Sequence, residues 1–289
     1  MDFKHPQFLV ETAWLADHLN NDDIRVLDCT AFNMPDGKGG IRAESGRASW
    51  EIEHIPGSGH ADLVNDLSDQ NASFRYMLPS VEQFAKAMSG YGIGANTRVV
   101  LYDSTSGSWA TRIWWMLRTF GFDAAYVLNG GLHKWKLENR ALSTSPSTYP
   151  PAIFHAKPRT GLMADRLEVL AAIEDGSTCV INALSKDQHM GIGGANYGRP
   201  GRISNTVNVP AGDLIDPETH VYRSPDQLAD RFTNAGADKG SRVIAYCGGG
   251  IAASNDAFIL TLLGYENVAV YDASMSEWAG DPSLPMQFG

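Results

Sequence analysis

The chain repeats its own pattern after half its length, and this repeat limits the folds open to it more than any other feature. Ser80-Val81-Glu82-Gln83-Phe84-Ala85 matches Ser224-Pro225-Asp226-Gln227-Leu228-Ala229, which lies 144 residues later. At the same offset, Arg98-Val99-Val100-Leu101-Tyr102 meets Arg242-Val243-Ile244-Ala245-Tyr246. A repeat of this size predicts two similar folding units. The length of 289 residues agrees, because single domains most often have about 100–150 residues.

The repeated segments also predict what each unit contains. Ser80 and Ser224 are each followed three residues later by Gln, the capping-box spacing that opens a helix. Each half has the order strand, long loop, capped helix, strand, tight loop, helix, strand, which is typical of parallel strands covered by helices. We therefore predict an α/β fold with two tandem domains, residues 1–145 and 155–289. The Ser-, Thr- and Pro-rich residues 142–151 form the linker between them.

Charge and composition exclude several classes of partner. Lys and Arg number 23 against 33 Asp and Glu, a net charge of −10, so no nucleic-acid partner is predicted. The apolar runs are far shorter than the ~20 residues of a membrane span, and the N-terminus has no secretory signal pattern, so we expect a cytoplasmic protein without a membrane partner. Three widely spaced cysteines, Cys29, Cys179 and Cys247, fit a reducing compartment.

The two halves differ most informatively at one strand-to-helix turn. Asp103 follows the strand in the first half, and Cys247 takes its place in the second. In an open parallel sheet, ligands bind beyond the carboxyl ends of the strands, where this turn lies. Gly248, Gly249 and Gly250, followed by a helix from Ile251-Ala252-Ala253, should present backbone N–H groups and a positive helix end to an anion. This setting should favour the thiolate of Cys247 and predicts a nucleophile.

A structural interpretation competes with the catalytic one. Free cysteines are commonly small buried hydrophobic residues, and glycines can merely turn the chain. The three consecutive glycines and the following helix favour the nucleophile at Cys247. Cys29 and Cys179 lie beside or within apolar strands without such a loop, and we interpret them as structural.

The motifs taken together resemble the tandem-domain rhodanese-type sulfurtransferases, which include thiosulfate and 3-mercaptopyruvate sulfurtransferases. Arg112-Ile113-Trp114-Trp115 and Val127-Leu128-Asn129-Gly130-Gly131-Leu132 are similar to first-domain motifs of this family. His54-Ile55-Pro56-Gly57 resembles its turn, and Val207-Asn208-Val209-Pro210 its second-domain motif. The resemblance covers nearly the whole chain.

The resemblance implies a fold, a site and a reaction. It implies two rhodanese-like domains, of which the first is catalytically silent and the second carries the catalytic residue at Cys247. It implies that Cys247 takes a sulfur atom from a small-molecule donor, becomes a persulfide, and passes the sulfur to cyanide, a thiol or a thioredoxin-like acceptor. No cofactor is implied, and no His/Cys cluster has zinc spacing, so no metal site is predicted.

Departures from the family pattern bear on the donor. Thiosulfate-preferring members usually have cations in the loop, whereas residues 248–253 here have none, which favours a 2-oxo acid thiol such as 3-mercaptopyruvate. The family's second-domain arginines are missing, and Lys186, Arg199 or Arg202 are the candidate replacements. Each of these cations is equally open to interpretation as a solvated surface residue.

Two other functions compete with an active sulfurtransferase. A Cys-x5-Arg phosphatase loop needs arginine at position 253, which is alanine, so nothing would hold a phosphate bidentately. The remaining alternative to an active enzyme is a catalytically weakened rhodanese-like module that binds a protein partner or carries sulfur.

Overall fold

The structure is a computed structural model that describes residues 1–37 and 39–289. In the first half the strands are β1 (Leu9–Val10), β2 (Ile24–Asp28), β3 (Ala31–Pro35), β4 (Ile41–Ser45), β5 (Gly59–His60), β6 (Arg98–Tyr102) and β7 (Ala125–Leu128). Its helices are α1 (Thr12–His18), α2 (Arg47–Ile52), α3 (Val81–Gly90), α4 (Ser108–Thr119) and α5 (Gly131–Leu137), with a short 3-10 helix at Pro6–Phe8.

The second half repeats this plan. Its strands are β8 (Met163–Ala164), β9 (Cys179–Asn182), β10 (Arg202–Ile203), β11 (Val207–Asn208), β12 (Val243–Tyr246), β13 (Val268–Tyr271) and β14 (Met286–Gln287). Its helices are α6 (Arg166–Asp175), α7 (Lys186–His189), α8 (Pro225–Asn234), α9 (Ile251–Leu262) and α10 (Ser274–Trp278), with a 3-10 helix at Ala211–Leu214.

Each half is built on its own five-stranded parallel sheet. The first sheet has the order β1-β7-β6-β2-β5, and the second has the corresponding order β8-β13-β12-β9-β11. In the register, Leu27 pairs with Leu101 in the first sheet and Ile181 with Ala245 in the second. The predicted α/β fold with two parallel central sheets is confirmed. Within the described ranges, no helix combines the length and apolar character needed to cross a membrane.

The predicted helix starts are confirmed as well. The Ser80 side chain accepts a hydrogen bond from the Gln83 backbone N–H at the start of α3. At the start of α8, Ser224 and Gln227 form both hydrogen bonds of a capping box. These caps satisfy N–H groups that have no partner inside the helix.

The two halves share one hydrophobic core across α4 and α9. Trp114 and Trp115 of α4 are 2% and 0% exposed. The Trp114 ring packs edge-on against Phe258 of α9, with ring centroids 4.8 Å apart. Both tryptophans therefore belong to the core, and the interface is apolar at its centre.

A buried carboxyl at the carboxyl edge of the first sheet makes stability depend on pH. Asp28 is 2% exposed and accepts a hydrogen bond from the Thr30 N–H at 2.8 Å. Burial raises the pKa of Asp28 to about 6. In the unfolded chain its pKa is about 3.9, so the folded state holds the proton more tightly. Its contribution to stability is present below pH ~4 and is lost as pH rises through about 6.

We expect Asp28→Asn to remove this loss, because an amide cannot ionise and keeps an acceptor for Thr30. The free energy of unfolding of the variant minus that of wild type should be about 2–3 kcal/mol larger at pH 8 than at pH 4, which means that the variant is relatively more stable at pH 8. Urea unfolding at the two pH values measures this difference, in which any pH-independent effect of the amide cancels. A relative stability that is the same at both pH values would contradict the prediction.

Candidate active site

Cys247 lies at the carboxyl edge of the second sheet. Cys247 follows β12, the central strand, and precedes α9. Its N–H donates to Ser274 Oγ at 3.0 Å, and its carbonyl accepts from the Met275 N–H at 3.0 Å. The Gly248 carbonyl accepts from the Ser276 N–H at 3.0 Å. In a trans peptide the carbonyl and the N–H point in opposite directions, so the N–H groups of Gly248 and Gly249 face away from α10.

The loop leaves a run of backbone donors unused. Within the part of the chain that the structure describes, no group accepts a hydrogen bond from the N–H groups of residues 248–253. Gly250 is the N-cap residue of α9 and has a φ of 81°, and a Cβ there would lie 3.0 Å from Asp272 Oδ1. The turn therefore needs glycine, and it joins free donors to the positive end of a helix.

The first half shows what such a loop binds. Its N-cap Gly107 has φ of 82°, nearly that of Gly250, and Asp103 stands where Cys247 stands in the second half. The Asp103 carboxylate accepts four hydrogen bonds of 2.8–3.0 Å from the backbone N–H groups of Thr105, Gly107, Trp109 and Ala110. The first-half loop, which is one residue longer, thus binds a carboxylate with its backbone N–H groups, whereas the second-half loop leaves its N–H groups free beside a thiol.

Cys247 lines a cleft between the halves. The cleft has a volume of about 210 Å³ and receives Asn33, Arg75, Tyr76 and Trp109 from the first half, and Leu184, Tyr197, Ser276 and the glycine loop from the second. Cys247 itself is only 2% exposed. A larger cavity of about 560 Å³ lies beside His60 and Tyr149, but no cysteine is among the described residues that line it.

The other two thiols have different surroundings. Cys29 is fully buried at the end of β2, and burial raises its pKa well above the ordinary value. Burial raises the pKa of the Cys179 thiol to about 11. Both therefore remain protonated near neutral pH, which suits the structural role predicted for them.

The structure places the three candidate cations away from the cleft lining. The Arg199 guanidinium donates to the backbone carbonyls of Ala279, Leu284, Trp278 and Asp281. Arg202 is 9% exposed and donates to the Gly289 carbonyl at 2.8 Å. Lys186 is exposed on α7. Arg199 thus binds the segment around the end of α10 and before β14, and Arg202 binds the C-terminal residue after β14, so the cleft around Cys247 receives none of these cations.

Three cleft residues were not predicted as site residues. Arg75 is the only charged side chain among the described residues that line the cleft. Burial raises the pKa of Tyr76 to about 12, and the Tyr76 hydroxyl donates to Asn33 Oδ1 at 2.8 Å. Burial, followed by the charge of Cys247, raises the pKa of Tyr197. No local sequence pattern marks these three residues, because they reach the cleft only through contacts between distant segments.

A buried ion pair between the halves holds the segment that carries Arg75 and Tyr76. Arg112 of α4 is fully buried, and its Nη2 lies 2.6 Å from Asp272 Oδ1 and donates to the Tyr76 carbonyl at 2.6 Å. Asp272 Oδ2 accepts from the Leu78 N–H at 2.8 Å. The pair thus fixes the first-half segment against the loop of the second half.

Comparisons with known proteins agree with this architecture. A model of the rhodanese-like domain matches residues 11–138 and again residues 166–281. The chain is 33% identical to thiosulfate/3-mercaptopyruvate sulfurtransferase 2 of Arabidopsis thaliana, over 96% of this chain and 86% of the relative. It is 31% identical to human 3-mercaptopyruvate sulfurtransferase, over 93% of this chain and 91% of the relative.

A solved structure gives the same result. The crystal structure of SseA from Escherichia coli, a 3-mercaptopyruvate sulfotransferase, superimposes with a TM-score of 0.80 at 28% identity. The match covers 92% of this chain and 98% of SseA. The likeness therefore extends over both halves of the chain.

Proposed function

The chain belongs to the rhodanese family, and on this premise we propose that it is a sulfurtransferase in which Cys247 carries the sulfur as a persulfide. The observation that supports this role is the run of free N–H groups at residues 248–253, whose first-half counterpart holds the Asp103 carboxylate. A thiolate and a persulfide are both anions, so such a loop stabilises the nucleophile and its product. Because the first half has a carboxylate where the nucleophile would be, we propose that it is catalytically silent.

The first half-reaction loads Cys247. The thiolate attacks the sulfur of 3-mercaptopyruvate, an S–S bond forms, and the C–S bond breaks. Its electron pair moves to the carbon, and the resulting enolate takes a proton to become pyruvate. With thiosulfate, the same attack on the outer sulfur breaks its S–S bond and releases sulfite. In both cases the product is a Cys247 persulfide, held by the loop donors.

The second half-reaction unloads Cys247. An acceptor attacks the outer sulfur of the persulfide, and the S–S bond breaks to return the Cys247 thiolate. Cyanide gives thiocyanate in this step, and a thiol gives a new persulfide. We propose a thiol or a thioredoxin-like protein as the acceptor in the cell, because a thiolate is the nucleophile that such exchange requires.

A steady-state assay of sulfur transfer to cyanide, with each donor in turn, tests the proposal. An active enzyme should turn over many times with at least one donor. A module that only binds a partner or carries sulfur should give at most one sulfur per chain, and that result would overturn the proposed function.

The composition of the glycine loop after Cys247 predicts which sulfur donor the enzyme prefers. We expect a higher kcat/KM for 3-mercaptopyruvate than for thiosulfate, because the loop offers backbone N–H groups but no side-chain cation for a second charge on the donor. A wild-type enzyme that favours thiosulfate would show that loop charge does not set the choice.

Gly249 is the position at which this preference can be changed. A Cβ at Gly249 would have no contact closer than 3.7 Å, whereas a Cβ at Gly248 would lie 2.0 Å from Tyr197 Oη. Gly249→Lys should therefore fit and should raise kcat/KM for thiosulfate, relative to 3-mercaptopyruvate, by about tenfold. Gly249→Met is the uncharged control of similar length, and a donor ratio that moves equally in both variants would contradict the prediction.

A further inference from the structure

Arg75 is a cation without a partner beside the nucleophile. Its guanidinium makes no ion pair or hydrogen bond with any described residue, and its Nε is buried. Most other arginines of the chain contact carboxylates or carbonyls, as Arg112 and Arg199 do. A partly buried guanidinium is costly unless an anion or acceptor meets it, so its surroundings point to an anionic ligand.

The backbone around Arg75 is fixed in place. Tyr76 has a φ of 63°, in the left-handed region that residues other than glycine rarely adopt. Arg112 binds the Tyr76 carbonyl on one side, and Asp272 binds the Leu78 N–H on the other. The glycine loop after Cys247 lies next to this segment, since a Cβ at Gly249 would be 3.7 Å from the Arg75 carbonyl oxygen. Strain held by its surroundings in this way is typical of functional sites.

Tyr197 adds a second polar group to the same space. Its Oη lies 2.0 Å from the position that a Cβ of residue 248 would occupy, and it forms no hydrogen bond with any residue in the described ranges. The charge of Arg75 lowers the pKa of Tyr197, while the larger effect of burial raises it, so the phenol stays protonated and can donate. A guanidinium and a phenol thus face one small cleft that also contains Cys247.

We propose that Arg75 and Tyr197 bind the anionic head group of the sulfur donor, the carboxylate of a 2-oxo acid thiol or the sulfonate end of thiosulfate. This inference rests on the proposed function of Cys247. The first half, although silent, then supplies the charge that the loop of the second half lacks. The cleft volume of about 210 Å³ suits a donor of this size and is below the ~300 Å³ at which pockets for drug-sized ligands begin.

The test measures the rate at which Cys247 gains one sulfur atom, by acid quench and intact mass. The donors are 3-mercaptopyruvate, thiosulfate and the methyl ester of 3-mercaptopyruvate, which lacks the carboxylate charge. Arg75→Gln should slow both anionic donors by roughly 10- to 100-fold and leave the ester within about twofold of wild type. Arg75→Lys should recover part of the loss, and Tyr197→Phe should slow the anionic donors by about threefold to tenfold.

Two controls distinguish a role of Arg75 in binding the donor from a role in holding the fold. Arg231→Gln removes one positive charge from the Arg231–Asp213 ion pair on the surface and should change no rate. Arg75→Gln loaded through the ester should release its sulfur to dithiothreitol at the wild-type rate. Equal losses with the acid and the ester, or no loss with the acid, would overturn the anchoring role.

A binding measurement keeps the proposal testable if sulfur transfer itself is absent. Pyruvate carries the carboxylate but no transferable sulfur, and it should protect Cys247 from alkylation by iodoacetamide. We expect the protecting concentration to rise roughly 10- to 100-fold in Arg75→Gln. Wild-type protein that gains no sulfur from any donor overturns the proposed function, whereas equal protection in wild type and Arg75→Gln overturns the role of Arg75.

Discussion

Cys247→Ser should lower sulfur transfer by roughly a thousand-fold or more with either donor, because a serine hydroxyl is not ionised near neutral pH and cannot form a persulfide. The fold should remain intact, since the substitution only replaces a sulfur atom with a smaller oxygen atom at the edge of a small cleft. Steady-state kinetics with each donor measure the loss, and circular dichroism checks the fold.

Cys179→Ser is the matched control. Cys179 begins β9 and is half-buried, and burial holds its pKa at about 11, so its removal should leave transfer within about twofold of wild type. Activity that survives in Cys247→Ser but is lost in Cys179→Ser would mean that the second half uses a different nucleophile.

Arg112→Met should produce the largest loss of stability. The substitution leaves the Asp272 carboxylate buried without its cation and removes the donor to the Tyr76 carbonyl. Breaking a buried ion pair from one side costs about 3–5 kcal/mol of unfolding free energy. Guanidinium unfolding, followed both by tryptophan fluorescence and by circular dichroism, should show this loss at the contact between the halves.

Arg159→Met is the comparison on the surface. Arg159 pairs with Asp123, and both side chains are more than a third exposed, so the loss there should be about 0–1 kcal/mol. A loss for Arg112→Met as small as that for Arg159→Met would show that the interdomain pair does not hold the halves together.

Most of the fold could be predicted from the repeat in the sequence. Strand and helix patterns recur at a fixed offset, and cap residues such as Ser80 and Ser224 act through neighbours three residues away. Such local signals are legible without a structure. The position of Cys247 in a glycine loop after a central strand was likewise predictable, because the divergence from Asp103 falls at the carboxyl edge of a parallel sheet.

The cations of the site could not be predicted in the same way. Arg199 and Arg202 lie near Val207-Asn208-Val209-Pro210 in sequence. Their guanidinium groups, however, donate hydrogen bonds to backbone carbonyls near β14. Arg75 lies 172 residues before Cys247 and reaches the cleft only because the halves pack through α4 and α9. Contacts between distant segments depend on tertiary packing, which no local pattern encodes.

The central claim is that sulfur passes through Cys247, and the intact mass of the protein after incubation with a donor tests it most directly. Wild-type protein exposed to 3-mercaptopyruvate and freed of excess donor should gain one sulfur atom, and peptide mapping should place that atom on Cys247. Addition of cyanide should return the original mass. A sulfur atom found on Cys29 or Cys179, or no gain with either donor, would contradict the account.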